Sequence, residues 1–233
     1  MAHPRKPSSV IRLIPRAARR PAAIGEAGTT LGLPSDGLLY RQGEIADDLY
    51  YLDAGAMALS AQSAEGKQAI VAVHGPGVFF GANSLGNEVH LTTARALVPS
   101  AVIRISKPRL AELLHHDPVF AEQFAVHLMR RVARLEQDQI DLTLNSLEKR
   151  LARALLLMAS LDADSERQSV LERCTEDMLA EMLGAVPARI GSLLRKFQRA
   201  GYIGEGEPLR VHSSLAGVLL PDHAGAAADM PPG

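Results

Sequence analysis

Between Ala185 and Ala200 the chain reads AVPARIGSLLRKFQRA, with four cations (Arg189, Arg195, Lys196 and Arg199) and no acid. Arg189, Ser192, Lys196 and Arg199 follow i, i+3, i+7 and i+10, which places them on one side of a helix. Ile190, Leu193, Leu194 and Phe197 form an apolar stripe that must pack inward. A guanidinium bonds guanine O6 and N7 together, a hydroxyl reaches several bases, and a methyl packs on thymine. Arg189, Ser192 and Ala188 offer those three chemistries near the start of the helix. Arg195, Lys196 and Arg199 stand further along and suit phosphates. Pro187 fits the first helical turn, where a missing N–H costs nothing, and it preorganises that turn. With few side chains left to read bases, modest sequence discrimination and a steep salt dependence are expected.

The preceding residues must hold this helix in place. Thr175 with Glu176 and Asp177 makes a helix start, because a hydroxyl caps free amides and acids suit the positive end of the helix dipole. Leu179, Ala180, Met182 and Leu183 give that helix an apolar side, and Gly184 ends it. Two short helices joined by a glycine turn predict a helix-turn-helix, with the second helix entering the major groove. Thr175 is grouped with the duplex-facing residues. Ile203 and Leu209-Arg210-Val211 flank Glu205-Gly206-Glu207-Pro208, a spacing that predicts a small β-hairpin wing. The competing reading keeps the sensing role but gives the C-terminal domain a protein partner in place of DNA, since Val186-Pro187-Ala188 is poor in polar groups.

Other chemistries find little support. Cys174 is the single cysteine, so no disulfide framework, Cys-rich zinc site or Cys-ligated cluster is expected, and the environment is expected to be reducing. No nucleophile–base–acid arrangement, Gly-Lys phosphate loop or metal-ligand cluster stands out, so the chain is not expected to be an enzyme. No run approaches the roughly 20 apolar residues that span a bilayer, and no secretory signal is recognisable, so a cytoplasmic protein without membrane partner is expected. Net charge is −1, so any attraction to nucleic acid must be local. A second acid-free basic stretch carries Arg5, Lys6, Arg12, Arg16, Arg19 and Arg20 and is read as a disordered tail.

Residues 1–35 hold five prolines and little periodicity, and are read as a loose arm with one short helix. From residue 36 to 116 the texture changes to short apolar runs: Leu38–Tyr40, Leu49–Leu52, Ala56–Leu59, Ala69–Val73, Val78–Phe80, Ala94–Val98 and Ala101–Ile105. Glycine turns separate most of them, which predicts an antiparallel sandwich or barrel. Pro108 to His115 fits a short helix. A long helix then runs over 117–146, with Phe120, Phe124, Leu128, Val132, Leu135 and Leu142 spaced mostly by three or four. About 25 residues would span nearly 40 Å, more than one small domain needs, so Phe124, Leu128, Val132, Leu135 and Leu142 are expected to pair with a second copy. A buried helix from Leu147 to Leu161 opens a C-terminal domain of residues 147–220, and 221–233 read as a flexible tail. The fold class expected is α+β: an N-terminal antiparallel β-roll of jelly-roll type, a long dimerisation helix and a C-terminal winged helix-turn-helix.

Several stretches resemble a known family. Arg41 to Gly55 (RQGEIADDLYYLDAG) resembles the opening of a cyclic-nucleotide-binding β-roll, and Gly75 to Gly81 (GPGVFFG) resembles the approach to its phosphate-binding turn. Glu148 to Ala152 (EKRLA), with the apolar helix after it, resembles the passage from hinge to DNA domain. In this order, over roughly residues 36–215, the chain resembles the Crp/Fnr bacterial transcription regulators. The resemblance implies a homodimer on palindromic promoter DNA, with RNA polymerase as a further partner. It also implies a small-molecule effector site around Gly81, Ala82, Asn83, Ser84, His90, Thr92, Thr93 and Leu135. Members that bind cyclic AMP carry Gly-Glu where this chain has Gly81-Ala82, an Arg on the phosphate where spacing gives His90, and a Thr on the purine where Leu135 stands. A buried phosphate without its cation is costly, so cyclic AMP is not the expected effector. The four-cysteine cluster of the oxygen-sensing branch is absent. Haem in relatives would make His74, His90 or His127 candidate ligands, yet lone histidines are usually structural, and no cofactor is expected.

Overall fold

The structure is a computed structural model and describes residues 20–82, 86, 88–162, 169–204, 206 and 209–219. Most of the basic N-terminal stretch, Asn83, Ser84 and the residues beyond Leu219 lie outside the described residues.

Helix α1 (Ala22–Ala27) precedes strands β1 (Thr29–Leu33), β2 (Leu38–Tyr40), β3 (Asp48–Ala54), β4 (Met57–Gln62), β5 (Gln68–His74), β6 (Val78–Phe80), β7 (Thr93–Ala96) and β8 (Ser100–Ser106). They form two antiparallel four-stranded sheets, ordered β1-β8-β3-β6 and β2-β7-β4-β5. This corrects the reading of residues 1–35 as a loose arm. Thr29 to Leu33 pair along β8, with Leu31 opposite Val102, so the roll starts before residue 36.

Strand β3 explains why the roll's apolar runs are continuous rather than alternating: both of its faces are covered. Tyr50 and Leu52 point between the sheets, where they meet Tyr40, Met57, Phe80 and Val102. Leu49 and Tyr51 point outward into a second cluster with Ile24, Phe79, Ile105, Leu110, Phe120 and Phe124. That cluster seats α2 (Lys107–His116) and the start of α3 (Pro118–Leu144) against the first sheet. The Asp117 carboxylate caps α3 by accepting from the Phe120 amide at 2.9 Å, and Pro118 occupies its first turn.

Two of the residues expected to form a dimer seam belong elsewhere. Phe124 is buried in the roll's outer cluster, and Leu128 packs against its edge. An α-helix turns 100° per residue, so each step of four carries the stripe forward by about 40°. From Phe120 to Val132 the apolar stripe therefore rotates by about a third of a turn and leaves the roll. Val132, Leu135 and Leu142 are 50%, 56% and 58% exposed, together with Met129 and Ile140.

Helix α4 (Leu147–Asp162) follows a short break at Asn145 and Ser146. The Arg153 guanidinium forms an ion pair with the buried Asp141 carboxylate, and the Asn145 side-chain amide donates to the same carboxylate at 2.7 Å. These contacts fix the joint between α3 and α4. Helices α5 (Glu176–Leu183) and α6 (Pro187–Arg199) then pack with α4 around Leu151, Leu155, Leu179, Ile190, Leu194 and Phe197.

The C-terminal unit does not hang free. Met158, Leu161, Val170 and Leu171 pack on Ala56, Ala58, Val73, Leu97 and Val98 of the second sheet. Gly75 permits this approach, because a Cβ there would collide with the Leu161 side chain. Arg173 completes the seat by donating to both oxygens of Asp36 at 2.5 Å, across the boundary between the two units.

Candidate functional site

The surface of the helix-turn-helix is built from the turn outward. The Thr175 hydroxyl accepts from the Met178 amide at 3.1 Å and starts α5. Gly184 ends α5 in the left-handed region (φ 61°, ψ 40°), which lets the chain reverse within a few residues. Pro187 then opens α6, and Ile190, Leu194 and Phe197 bury its inner side. Pro187, Ala188, Arg189, Ser192, Arg195, Lys196 and Arg199 are all exposed. Lys196 is held by the Glu148 carboxylate at 2.7 Å, and the Arg199 Nε–H donates to the Arg195 carbonyl at 3.4 Å. Arg189 has no acid partner among the described residues, so its guanidinium is free to bond. The wing closes through an antiparallel bridge between Ile203 and Val211, with the Gly204 amide donating to Arg210 and the His212 amide to Tyr202. Glu205, Glu207 and Pro208 at its tip lie outside the described residues.

The expected effector residues are only partly brought together. Gly81 turns the chain after β6 with φ 74°, and Ala82 packs against the outer cluster. His90 is 2% exposed, and its ring stacks on Tyr40 with centroids 3.7 Å apart and planes 9° apart. Thr92 hydrogen-bonds the Tyr40 hydroxyl. The Thr93 hydroxyl oxygen accepts from the Gln42 amide at 3.0 Å. Leu135 does not belong here: it is exposed on α3, one turn beyond the residue that reaches the roll. That residue is Arg131, whose Nη1 lies 3.4 Å from His74 Nε2. Tyr40, Tyr50 and Arg131 were not recognisable as site residues. The sequence signal was present but ambiguous, since Tyr40 and Tyr50 read as strand core and Arg131 as solvated helix.

The electrostatics of this cluster follow from burial. Burial raises the Tyr40 and Tyr50 hydroxyls to about 12 and lowers His74 to about 3, where neighbouring Arg131, Arg134 and His127 add to the effect. Burial also lowers His90 below the usual imidazole value. The cluster is therefore aromatic, with burial disfavouring charge on both imidazoles, Arg131 and Arg134 acting on His74 from α3, and the Glu44 and Asp48 carboxylates acting on His90. It offers no carboxylate at Ala82 for ribose hydroxyls, and the buried His90 Nδ1 atom has no hydrogen-bond partner among the described residues. Among the described residues no group of three His, Cys, Asp or Glu side chains converges as a metal site. No helix among them is long and apolar enough to cross a membrane.

Residues 32–117 match the family profile of the cyclic nucleotide-binding domain. The chain is 26% identical over 168 residues to the cAMP-activated global transcriptional regulator CRP of Pasteurella multocida, covering 71% of this chain and 80% of that protein. The chain therefore carries a cyclic nucleotide-binding domain and is similar to Crp-type regulators. Solved Crp/Fnr-type structures share its fold. FixK2 of Bradyrhizobium japonicum superimposes with a TM-score of 0.70 at 20% identity, covering 82% of this chain and 95% of that one. A Crp/Fnr-family transcriptional regulator of Thermus thermophilus superimposes with 0.68 at 22% identity, covering 82% and 98%. The Pasteurella and Thermus proteins are both named as transcriptional regulators.

Proposed function

We propose that this Crp-like protein binds palindromic promoter DNA as a homodimer and regulates transcription without cyclic AMP. In this reading the roll from about residue 29 to 116 senses, α3 pairs two copies, and residues 147–220 bind DNA. The observation that carries it is α6: an acid-free helix seated on a buried core, with the exposed Arg189 guanidinium in its first turn meeting no carboxylate among the described residues. Pairing is supported by Met129, Val132, Leu135, Ile140 and Leu142, which stay exposed along α3. Each α6 would place Arg189, Ser192 and Ala188 at base edges and Arg195, Lys196 and Arg199 along phosphates. RNA polymerase at the same promoter is the partner through which such a complex would act.

Promoter fragments titrated in fluorescence anisotropy test this. Arg189→Ala is expected to weaken specific binding by about 1–3 kcal/mol and to relax discrimination at one base position. Equal binding by the variant removes Arg189 from the readers. A wild-type protein with no salt-sensitive affinity for any duplex favours the protein-partner reading instead.

The effector reading rests on this aromatic cluster. His90, which spacing aligns with the phosphate cation of cyclic-AMP-binding members, is a stacked ring on which burial disfavours charge, and Ala82 has no side-chain acceptor. Micromolar cyclic AMP is therefore expected to leave the melting temperature unchanged, since only a ligand that prefers the folded state raises it. A shift of several degrees would show that the roll takes the nucleotide.

A further inference from the structure

A cleft of about 860 Å³ separates the start of β5 from the reading end of the helix-turn-helix. One wall carries Lys67 and Gln68, and the other carries Pro187 and Arg189. The hairpin between β4 and β5 is held in a defined shape: the Ser63 amide donates to the Lys67 carbonyl at 2.9 Å, and the Gly66 amide to the Ser63 carbonyl at 3.0 Å. Its position relative to α6 is fixed as well. Strand β5 packs against α5, and the apolar contact beneath α4 together with the Arg173–Asp36 pair ties the C-terminal unit to the same sheet. Lys67 is exposed, and among the described residues its ammonium meets no carboxylate. Lys196 on α6, in contrast, is already paired with Glu148.

We infer that the β4–β5 hairpin is an additional DNA-contacting element, with Lys67 binding a backbone phosphate beside the reading helix. The inference rests on the DNA reading above. A B-form major groove is about 12 Å wide, so rows of phosphate border any helix end that enters it. A wall that faces Pro187 and Arg189 across so small a cleft stands where one of those rows runs. Asp177 and Glu181 line the α5 side of the cleft and repel phosphate, so the row is steered to the Lys67 rim. Lys67 reads no base. It adds affinity and fixes the angle at which α6 enters the groove.

The test is a salt titration of the full-length protein on a promoter duplex, comparing wild type, Lys67→Ala and Arg189→Ala, with circular dichroism confirming that each is folded. Neutralising one phosphate contributes about 0.9 to the slope of log K against log salt. Lys67→Ala is expected to lower the slope by about 0.9 for each bound protomer, which is about eightfold in affinity at 0.1 M salt. The loss should be equal on specific and random duplexes, whereas Arg189→Ala should fall mainly on the specific one. An unchanged slope and affinity in Lys67→Ala overturn the inference by placing the hairpin off the duplex. Tighter binding overturns it too, because the hairpin would then obstruct DNA. A wild type without salt-dependent affinity fails the DNA reading itself, a result distinguishable from both.

Discussion

Lowering the pH from 7 to 4 is expected to remove about 3 kcal/mol of folding stability through His74 alone. The imidazole is 8% exposed, and burial lowers it to about 3, with Arg131, Arg134 and His127 opposing a further charge. In the unfolded chain the same group titrates near the ordinary value of about 6.5. Below that value the unfolded state takes up a proton that the folded state refuses. The stability is therefore whole above about pH 6.5 and is lost as pH falls towards 3. His90, also lowered by burial, acts with the same sign. Carboxylates titrate over part of this range, so the informative quantity is a difference between proteins. His74→Phe keeps a ring beside Phe80, whose centroid lies 6.0 Å away. Urea unfolding of wild type and variant at pH 7, 5.5 and 4 should show the wild type losing about 3 kcal/mol more over the range. Parallel losses in the two proteins would show that His74 is hydrated in the folded state.

Phe197→Ala is expected to cost about 3–5 kcal/mol. The ring is fully buried, stands edge-on to Tyr202 at 6.1 Å, and shares a cluster with Leu151, Leu155, Leu179 and Ile190. In a close-packed core the cavity left by the ring adds to the lost transfer energy. Phe197 is also the last buried residue of α6, two residues from its end. Its loss should loosen the helix that carries Arg189 and weaken DNA binding along with stability. Phe197→Leu keeps most of the volume and should recover much of both. A truncation that melts like the wild type would contradict the packing described for this unit.

The sequence made the elements of the C-terminal unit legible because their signals are local. Thr175, Gly184 and Pro187 each act within one turn, and each marks the boundary found in the structure. The strands of the roll were legible for a similar reason, apart from β1. Thr29 to Leu33 carries two threonines and a glycine, and it becomes a strand only because β8 lies alongside it. The aromatic cluster was less legible, because its members meet only through the sheet. Tyr40, His74 and His90 come from three separate strands or loops, and Arg131 joins them from α3. Spacing pointed to Leu135 on that helix. The four-residue drift of the apolar stripe turns Arg131 inward and leaves Leu135 outside. The same drift explains why Phe124 and Leu128 serve the roll while Val132 and Leu142 stay exposed.

The Arg173–Asp36 clamp and the apolar seat beneath α4 join the roll to the unit that carries α6. In a paired molecule the reach between the two α6 tips would then be dictated by the tilt of each protomer at the α3 seam. A signal arriving at the roll would not need to unfold or release anything to act on a promoter. A rotation of a few degrees at the seam, multiplied along the protomer, would be enough to move the tips in or out of step with the pitch of the duplex.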